Sequence, residues 1–326
     1  MKRRYAAAFG ILVLAAAVSL FAGNKAIGTS QILRVLAGGG TAAARLIVFQ
    51  IRLPRILAAM TTGAALSAAG YLLQNSLDNV LASPGILGIN HGAGVFVLIS
   101  AILFPYQIRM KGLMAFLGAL VVTGIVGLLA YGAGMSKTAV ILAGVAISAL
   151  CSSVTDVLIS LKPETVADKT AFLLGGFSAV SRTSLYIGLP VAAVVLSAAV
   201  WIAPALDVMA LGDEAALGLG LNVHRYRGFS IVSAALLSGA AVGICGQISF
   251  VGLIVPNVLR MVCPGKSRED LILNMLSGAA FLLLCDTAAR LLAFPYELPC
   301  GLILSLVGTP FLIWILLTKK RRLGTR

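Results

Sequence analysis

The sequence predicts an all-α, polytopic membrane protein with about ten transmembrane helices, and three observations carry that prediction. Hydrophobic residues make up 60% of the 326 positions and charged residues only 11%. The charges fall at intervals, and residues 5–24, 56–77, 112–136 and 183–206 contain none. A helix rises about 1.5 Å per residue and needs roughly 20 apolar residues to cross the hydrocarbon core, so each gap is long enough. Lastly, the runs are continuously apolar and do not alternate. Backbone groups in lipid must be paired within a helix or a closed barrel, and continuous runs select helices.

The first span, 5–23, follows Lys2, Arg3 and Arg4. A basic start before an apolar run resembles a signal peptide. The run is long for one, and no small-x-small cleavage site follows Phe21, so it is expected to stay as a helix. Spans 55–74 and 87–104 flank a turn-rich connection, 74–89, that contains Asn75, Asp78, Asn79, Ser83, Pro84, Gly85 and Gly88. Spans 112–132 and 138–160 come next. Lys162 and Pro163 end the fifth, and residues 164–177 are predicted to form a short surface helix, because proline suits a first helical turn.

After span 184–204, the connection 207–222 is the longest internal loop. Asp213 and Glu214 stand ahead of Ala215, Ala216 and Leu217, with Gly218 and Gly220 behind. Acids at the positive end of a helix dipole, good helix formers and closing glycines predict a short helix there. Between Arg227 and Arg260 the uncharged stretch is too short for two full crossings. Spans 225–246 and 248–263 are therefore expected to break at Gly246-Gln247, with Arg225 and Arg227 snorkelling toward the interface. Spans 271–293 and 299–318 complete the set. Ten spans leave no room for a soluble domain, so residues 1–326 read as a single transmembrane domain.

An even number of spans puts both ends on one side. Both ends are basic, with Lys319, Lys320, Arg321 and Arg322 at the second, so the positive-inside rule places both in the cytoplasm. Lys25, Arg34, Arg45, Arg52 and Arg55 then lie outside as unpaired cations, since no acid precedes Asp78. Two explanations fit them: anchoring to anionic lipid headgroups, or an electropositive surface for an acidic partner.

Several function classes are excluded. The formal charge of +14 is scattered over helix ends, unlike a nucleic-acid interface. The segment Gly132-Ala133-Gly134-Met135-Ser136-Lys137-Thr138 lacks the glycine spacing of a phosphate loop and lies between two spans. His91 and His224 have no ligand-spaced partner, so no metal site is expected. The five cysteines form no CxxC and read as small buried residues. No catalytic residue is assigned.

Ionisable residues within membrane spans are functional candidates. Asp156 is one, either lining a pore or sitting near the interface. Asp286 and Arg290, four residues apart, share a helix face and can form a structural ion pair. An ion-coupled secondary carrier would place several acids near the midplane on broken helices. This sequence offers few.

Several segments, in order along the chain, together resemble the FecCD-type permeases of ATP-driven importers for iron-siderophore, heme and vitamin B12. They begin with Arg52-Leu53-Pro54-Arg55-Ile56-Leu57, with Gly63 and Gly70-Tyr71-Leu72-Leu73-Gln74 following. Next come Asn79-Val80-Leu81-Ala82-Ser83-Pro84-Gly85-Ile86-Leu87-Gly88 and Gly212-Asp213-Glu214-Ala215-Ala216-Leu217-Gly218-Leu219-Gly220. Phe250-Val251-Gly252-Leu253-Ile254-Val255-Pro256, Glu297-Leu298-Pro299 and Gly308-Thr309-Pro310-Phe311 complete them. Val80, Ser249 and Asn257 depart from the residues common in the family.

The resemblance implies a type II ABC importer permease architecture in a bacterial or archaeal cytoplasmic membrane. Its implied partners are a second copy or a paralogue, two cytoplasmic ATPase subunits and an external substrate-binding protein. ATP and Mg belong to the ATPases, so no cofactor is expected in this chain, which is not itself an enzyme. The implied cargo is a bulky metal chelate, a ferric siderophore above all, with heme or cobalamin as the alternative. A stand-alone secondary carrier or channel is the competing class. By the same resemblance, Arg52, Arg55 and Arg290 receive acidic residues of the binding protein. Gly212, Asp213, Glu214, Ala215, Leu217, Gly218 and Gly220 form the cytoplasmic coupling loop, about 207–222, that seats in the ATPase.

Overall fold

The computed structural model describes residues 2–22, 28–105, 107–178, 180–293 and 296–323. Lys25 lies outside them. The described residues are helical almost throughout. The first helices are α1 (Lys2–Phe21), α2 (Thr29–Leu36), α3 (Ala42–Ile47) and, after a π-helical turn at Val48–Arg52, α4 (Leu53–Ser76). Then come α5 (Ile89–Leu103), α6 (Ile108–Gly132), α7 (Lys137–Leu161), α8 (Val166–Leu174) and α9 (Arg182–Met209). The chain ends with α10 (Asp213–Gly218), α11 (Val223–Cys245), α12 (Val251–Val262), α13 (Ser267–Leu292) and α14 (Cys300–Leu323).

Among the described residues, seven helical stretches are long and apolar enough to cross a membrane. Three shorter apolar ones accompany them: Ile89–Leu103, Val251–Val262 and Cys300–Ile315. Each of the ten matches one predicted span. The predicted surface helix is also present, as a short 3-10 turn at Pro163–Thr165 followed by α8.

The centre of the bundle is α4, which packs on α13, α11, α12 and α9. Its sequence explains why it can be central: alanines and glycines at helical spacing let neighbouring backbones come close. A Cβ on Gly63 would lie 2.3 Å from the carbonyl oxygen of Gly278 in α13, and one on Gly70 would lie 1.8 Å from that of Gly252 in α12. Neither contact leaves space for a side chain. A second layer is formed by α5, α6 and α7, with Val95, Val122, Val126, Ile147 and Cys151 between them.

Four features correct the sequence reading or go beyond it. First, the segment before α4 is helical: α2, α3 and the π turn bury Ile32, Val35, Ala44 and Val48 as a small cluster against Leu20 and Leu53. Second, the internal loop is shorter than 207–222, because α9 continues to Met209. Asp207 lies within α9, and its carboxylate accepts from the backbone N–H of Ser267 at 2.9 Å. Third, Arg227 does not snorkel to an interface. It is 1% exposed and bonded inside the bundle. Fourth, the connection after α4 is turn-rich as expected but is also packed into the bundle. It buries Ala82 and Leu87, and the Leu87 backbone packs so closely on Gly144 of α7 that a Cβ there would lie 2.7 Å away.

Candidate functional site

Two polar clusters stand at opposite ends of α4. The first is built around Arg55. Pro54 cannot donate to the carbonyl four residues back, and its ring opposes that carbonyl. The helix widens into a π turn immediately before it, at Val48–Arg52. Beyond this turn, Arg55 projects toward α13. Its Nε donates to both carboxylate oxygens of Asp286, at 3.2 and 3.0 Å, and its Nη2 donates to Oδ1 at 2.8 Å. Its Nη1 donates to Glu297 Oε2 at 2.8 Å.

Arg290 and Arg52 complete the cluster by capping the end of α1, whose last carbonyls lack helical partners. Arg290 Nη1 donates to Ala22 O at 3.0 Å and Nη2 to Ser19 Oγ at 2.7 Å, while Arg52 Nη1 donates to Leu20 O. Arg290 Nε also lies 3.3 Å from Asp286 Oδ2. The predicted docking arginines Arg52, Arg55 and Arg290 therefore converge from two stretches of chain, the π turn with the start of α4 and the end of α13.

They do not form an open rim of unpaired cations. Their exposures are 5%, 9% and 4%, and Asp286 is fully buried. Arg55 pairs with both Asp286 and Glu297, and Arg290 pairs with Asp286, so the carboxylates are shared between two guanidinium groups. Arg45 is engaged too, donating to the carbonyls of Gly38 and Gly39. Glu297 has the more accessible carboxylate, with 31% of its side chain exposed. Next to it opens a cavity of about 530 Å³, whose wall includes Arg55, Glu297, Phe172 and the ion pair of Lys111 with Asp168.

Sequence reasoning missed Glu297 and the Lys111–Asp168 pair as members of this region. No local signal marked them: Glu297 lies between the spans 271–293 and 299–318, Lys111 precedes the span 112–132, and Asp168 sits on the predicted surface helix, where an acid needs no partner. Asp156 stands apart from the cluster. Its mostly exposed carboxylate lies 3.5 Å from Lys169, at a cavity of about 180 Å³ that His91 and Asn90 also line.

The second cluster surrounds α10. Gly212 and Gly220 bracket this helix with φ of +101° and +82°, angles that other residues rarely adopt. Ala216 is its buried residue, whereas Glu214, Ala215, Leu217 and Gly218 face outward. Leu211, Leu217 and Leu219 are exposed together, an apolar surface around a helix that begins with two acids. Arg227 reaches the same cluster from α11 and meets Asp213.

The family departures are also placed. Asn257 Nδ2 donates to the carbonyls of Val80, at 3.0 Å, and Leu253, at 2.8 Å. Two of the three positions singled out in the sequence thus contact each other. Ser249 precedes Phe250, which caps α12 at φ +69° and fills the space beside Gly308.

Among the described residues, ten apolar helices in one bundle define a polytopic membrane protein, and comparison with known proteins makes it the membrane-spanning subunit of an ATP-driven importer, not itself an ATPase. The chain belongs to the FecCD transport family, whose pattern matches residues 11–318. It is 35% identical to the Fe(3+) dicitrate transport system permease protein FecD of Escherichia coli (strain K12), over 83% of this chain and 85% of that one. It is 34% identical to the vitamin B12 import system permease protein BtuC of Serratia proteamaculans (strain 568), over 84% and 82%. A solved inward-facing structure of a metal-chelate type ABC transporter superposes with a TM-score of 0.84 at 26% identity, covering 98% of this chain and 99% of that one. The protein is thus a multi-pass permease of a bacterial ABC importer for iron chelates or vitamin B12.

Proposed function

We propose that the chain forms, with a second copy or a paralogue, the translocation unit for a ferric siderophore-type chelate. A binding protein outside the membrane delivers the cargo, and two ATPases on the cytoplasmic side drive it. The observation that carries this reading is the pairing of two specialised ends on one central helix. The Arg55 end of α4 offers guanidinium groups, whose fork geometry suits carboxylates of a docking partner. The other end leads to α10, whose exposed leucines suit a groove in a motor subunit.

In this reading the Arg55 end and the cavity beside it face outward, and α10 and both chain termini face the cytoplasm. Binding-protein carboxylates reach Arg55 by competing with Glu297, the exposed member of the cluster, while Asp286 stays in place. ATP binding brings the motors together and shifts α10, and the two permeases alternate between outward and inward openings according to which partner contacts each favours. ATP and Mg act in the motor subunits. The relative FecD supports iron citrate-type cargo, and the relative BtuC supports vitamin B12 as the second cargo to test.

The test is uptake by vesicles that contain the permease, its ATPases and the cognate binding protein, across a panel of ferric siderophores, ferric citrate, heme and cobalamin. The expected result is ATP-dependent accumulation of a ferric chelate. Uptake that persists without ATPase and collapses with the proton gradient would instead establish a secondary carrier.

A further inference from the structure

We infer that Arg227 is the positioning residue that fixes α10 to the end of α4, so that the two move together. The inference rests on reading α10 as the element that contacts the ATPase.

Four elements meet at this one guanidinium. Arg227 sits in the first turns of α11 and is 1% exposed. Its Nε donates to Ser76 O, at the last residue of α4, at 3.1 Å. Its Nη1 donates to Met135 O in the turn between α6 and α7 at 2.9 Å. Its Nη2 lies 2.8 Å from both carboxylate oxygens of Asp213, the first residue of α10. Lys137 adds a weaker bridge, 3.4 Å from Asp78 and 4.0 Å from Asp213.

A buried guanidinium is stable only when its donors are satisfied, and its planar fork fixes the directions of the acceptors. Moving any one of the four elements alone would leave a buried charge with a broken hydrogen bond. This matters most for α10, which buries only Ala216 among its side chains and is flanked by glycines at positive φ. Such a helix has little packing of its own to hold its angle.

The opposite end of α4 carries Arg55. From Arg55 to Ser76 the helix extends about 32 Å at 1.5 Å per residue. Along that length it is wedged against Gly278 and Gly252 with no spare room. A stiff, tightly packed helix with a polar cluster at each end is a physical connection between the two clusters, and Arg227 is the joint that extends it to α10.

The test uses the whole transporter, permease with ATPases and binding protein, in liposomes, and reads cargo transported per ATP hydrolysed. Asp213→Asn keeps the shape and removes the charge. Arg227→Lys keeps the charge but cannot span three acceptors. Both are expected to lower transport per ATP by about tenfold, within the usual range for coupling between two sites. Unchanged transport per ATP overturns the inference, as does a loss of transport and hydrolysis in equal proportion, the sign of a merely structural role.

Should Arg227→Lys fail to assemble, Asp213→Asn decides, because that side chain is partly exposed. Hydrogen exchange of the amides in 213–221 supplies a second measure: faster exchange in Asp213→Asn is expected, and wild-type protection would refute the joint. Leu217→Asp separates the two readings. If that variant keeps wild-type ATPase binding, the assignment of α10 to the motor is what fails.

Discussion

Arg55 and Asp286, 231 positions apart in sequence, share a buried ion pair in which Arg55 donates to both carboxylate oxygens. The pair joins α4 to α13 near the end that also holds Arg290 and Glu297. Asp286→Ala removes one partner and strands the other, which typically costs about 3–5 kcal/mol. A thermal melt in detergent should show a large loss of stability, with the double variant Arg55→Met, Asp286→Leu recovering part of it. A wild-type melt for Asp286→Ala would mean that the pair does not hold the two helices.

Glu297 separates structural pairing from docking. It holds Arg55 Nη1 at 2.8 Å yet keeps 31% of its side chain exposed. Reversing the charges of Arg52, Arg55 and Arg290 would put acids into buried positions and unfold the site, so the informative variant is Glu297→Gln. It removes the carboxylate charge that holds Arg55 Nη1 without burying anything new. Binding-protein affinity should rise by about fivefold or less, in keeping with the modest worth of partly exposed pairs. The gain should shrink with added salt. Weaker or unchanged docking at low salt would contradict competition between Glu297 and the partner.

How much of this was legible in the sequence divides along physical lines. Most spans were readable because hydrocarbon thickness sets a length that apolar runs must meet; α5 and α12, at 15 and 12 residues, fall short of it and were placed by the charges and turn residues around them. The helix α10 was readable from its acids and glycines. By contrast, α2 and α3 lie in a stretch without a long apolar run, so nothing marked their burial of Ile32 and Ala44. The partners of Arg55 and Arg227 were hidden for a different reason. Side chains distant in sequence meet only once the bundle is packed, and Arg227 near an apolar run looks the same whether it points to lipid headgroups or to Asp213. Arg290 beside Asp286 was visible because four residues make one helical turn.

Gly70 should be the least replaceable residue of α4. A methyl group there would lie 1.8 Å from the carbonyl oxygen of Gly252 and 2.5 Å from its carbon, both backbone atoms that cannot rotate away. Gly70→Ala should cost about 3 kcal/mol, the upper part of the range for overpacking. Gly124→Ala meets nothing within 4 Å and serves as the control. Purified Gly70→Ala should melt earlier or fail to assemble, while Gly124→Ala stays near wild type. Equal stability of the two would show that α4 and α12 can separate at no cost.

The proposed motor contact makes the sharpest demand on a few side chains. Glu214 and Leu217 face outward on α10, and Leu217 is 52% exposed with Leu211 and Leu219 nearby. Nothing in the permease itself requires an apolar residue at such a position, and an exposed apolar patch commonly marks a surface that another protein covers. Changing Glu214→Lys together with Leu217→Asp reverses one charge and adds another in the middle of that patch, but removes no contact from the bundle core. Permease yield and melting temperature should therefore stay near wild type. Co-purification with the ATPases should fall by about tenfold or more, because a charge buried at an interface without a partner costs several kcal/mol. Transport and cargo-stimulated ATP hydrolysis should fall with it. If the double variant retained full ATPase binding and full transport, α10 would not be the coupling element, and the exposed leucines would need another occupant.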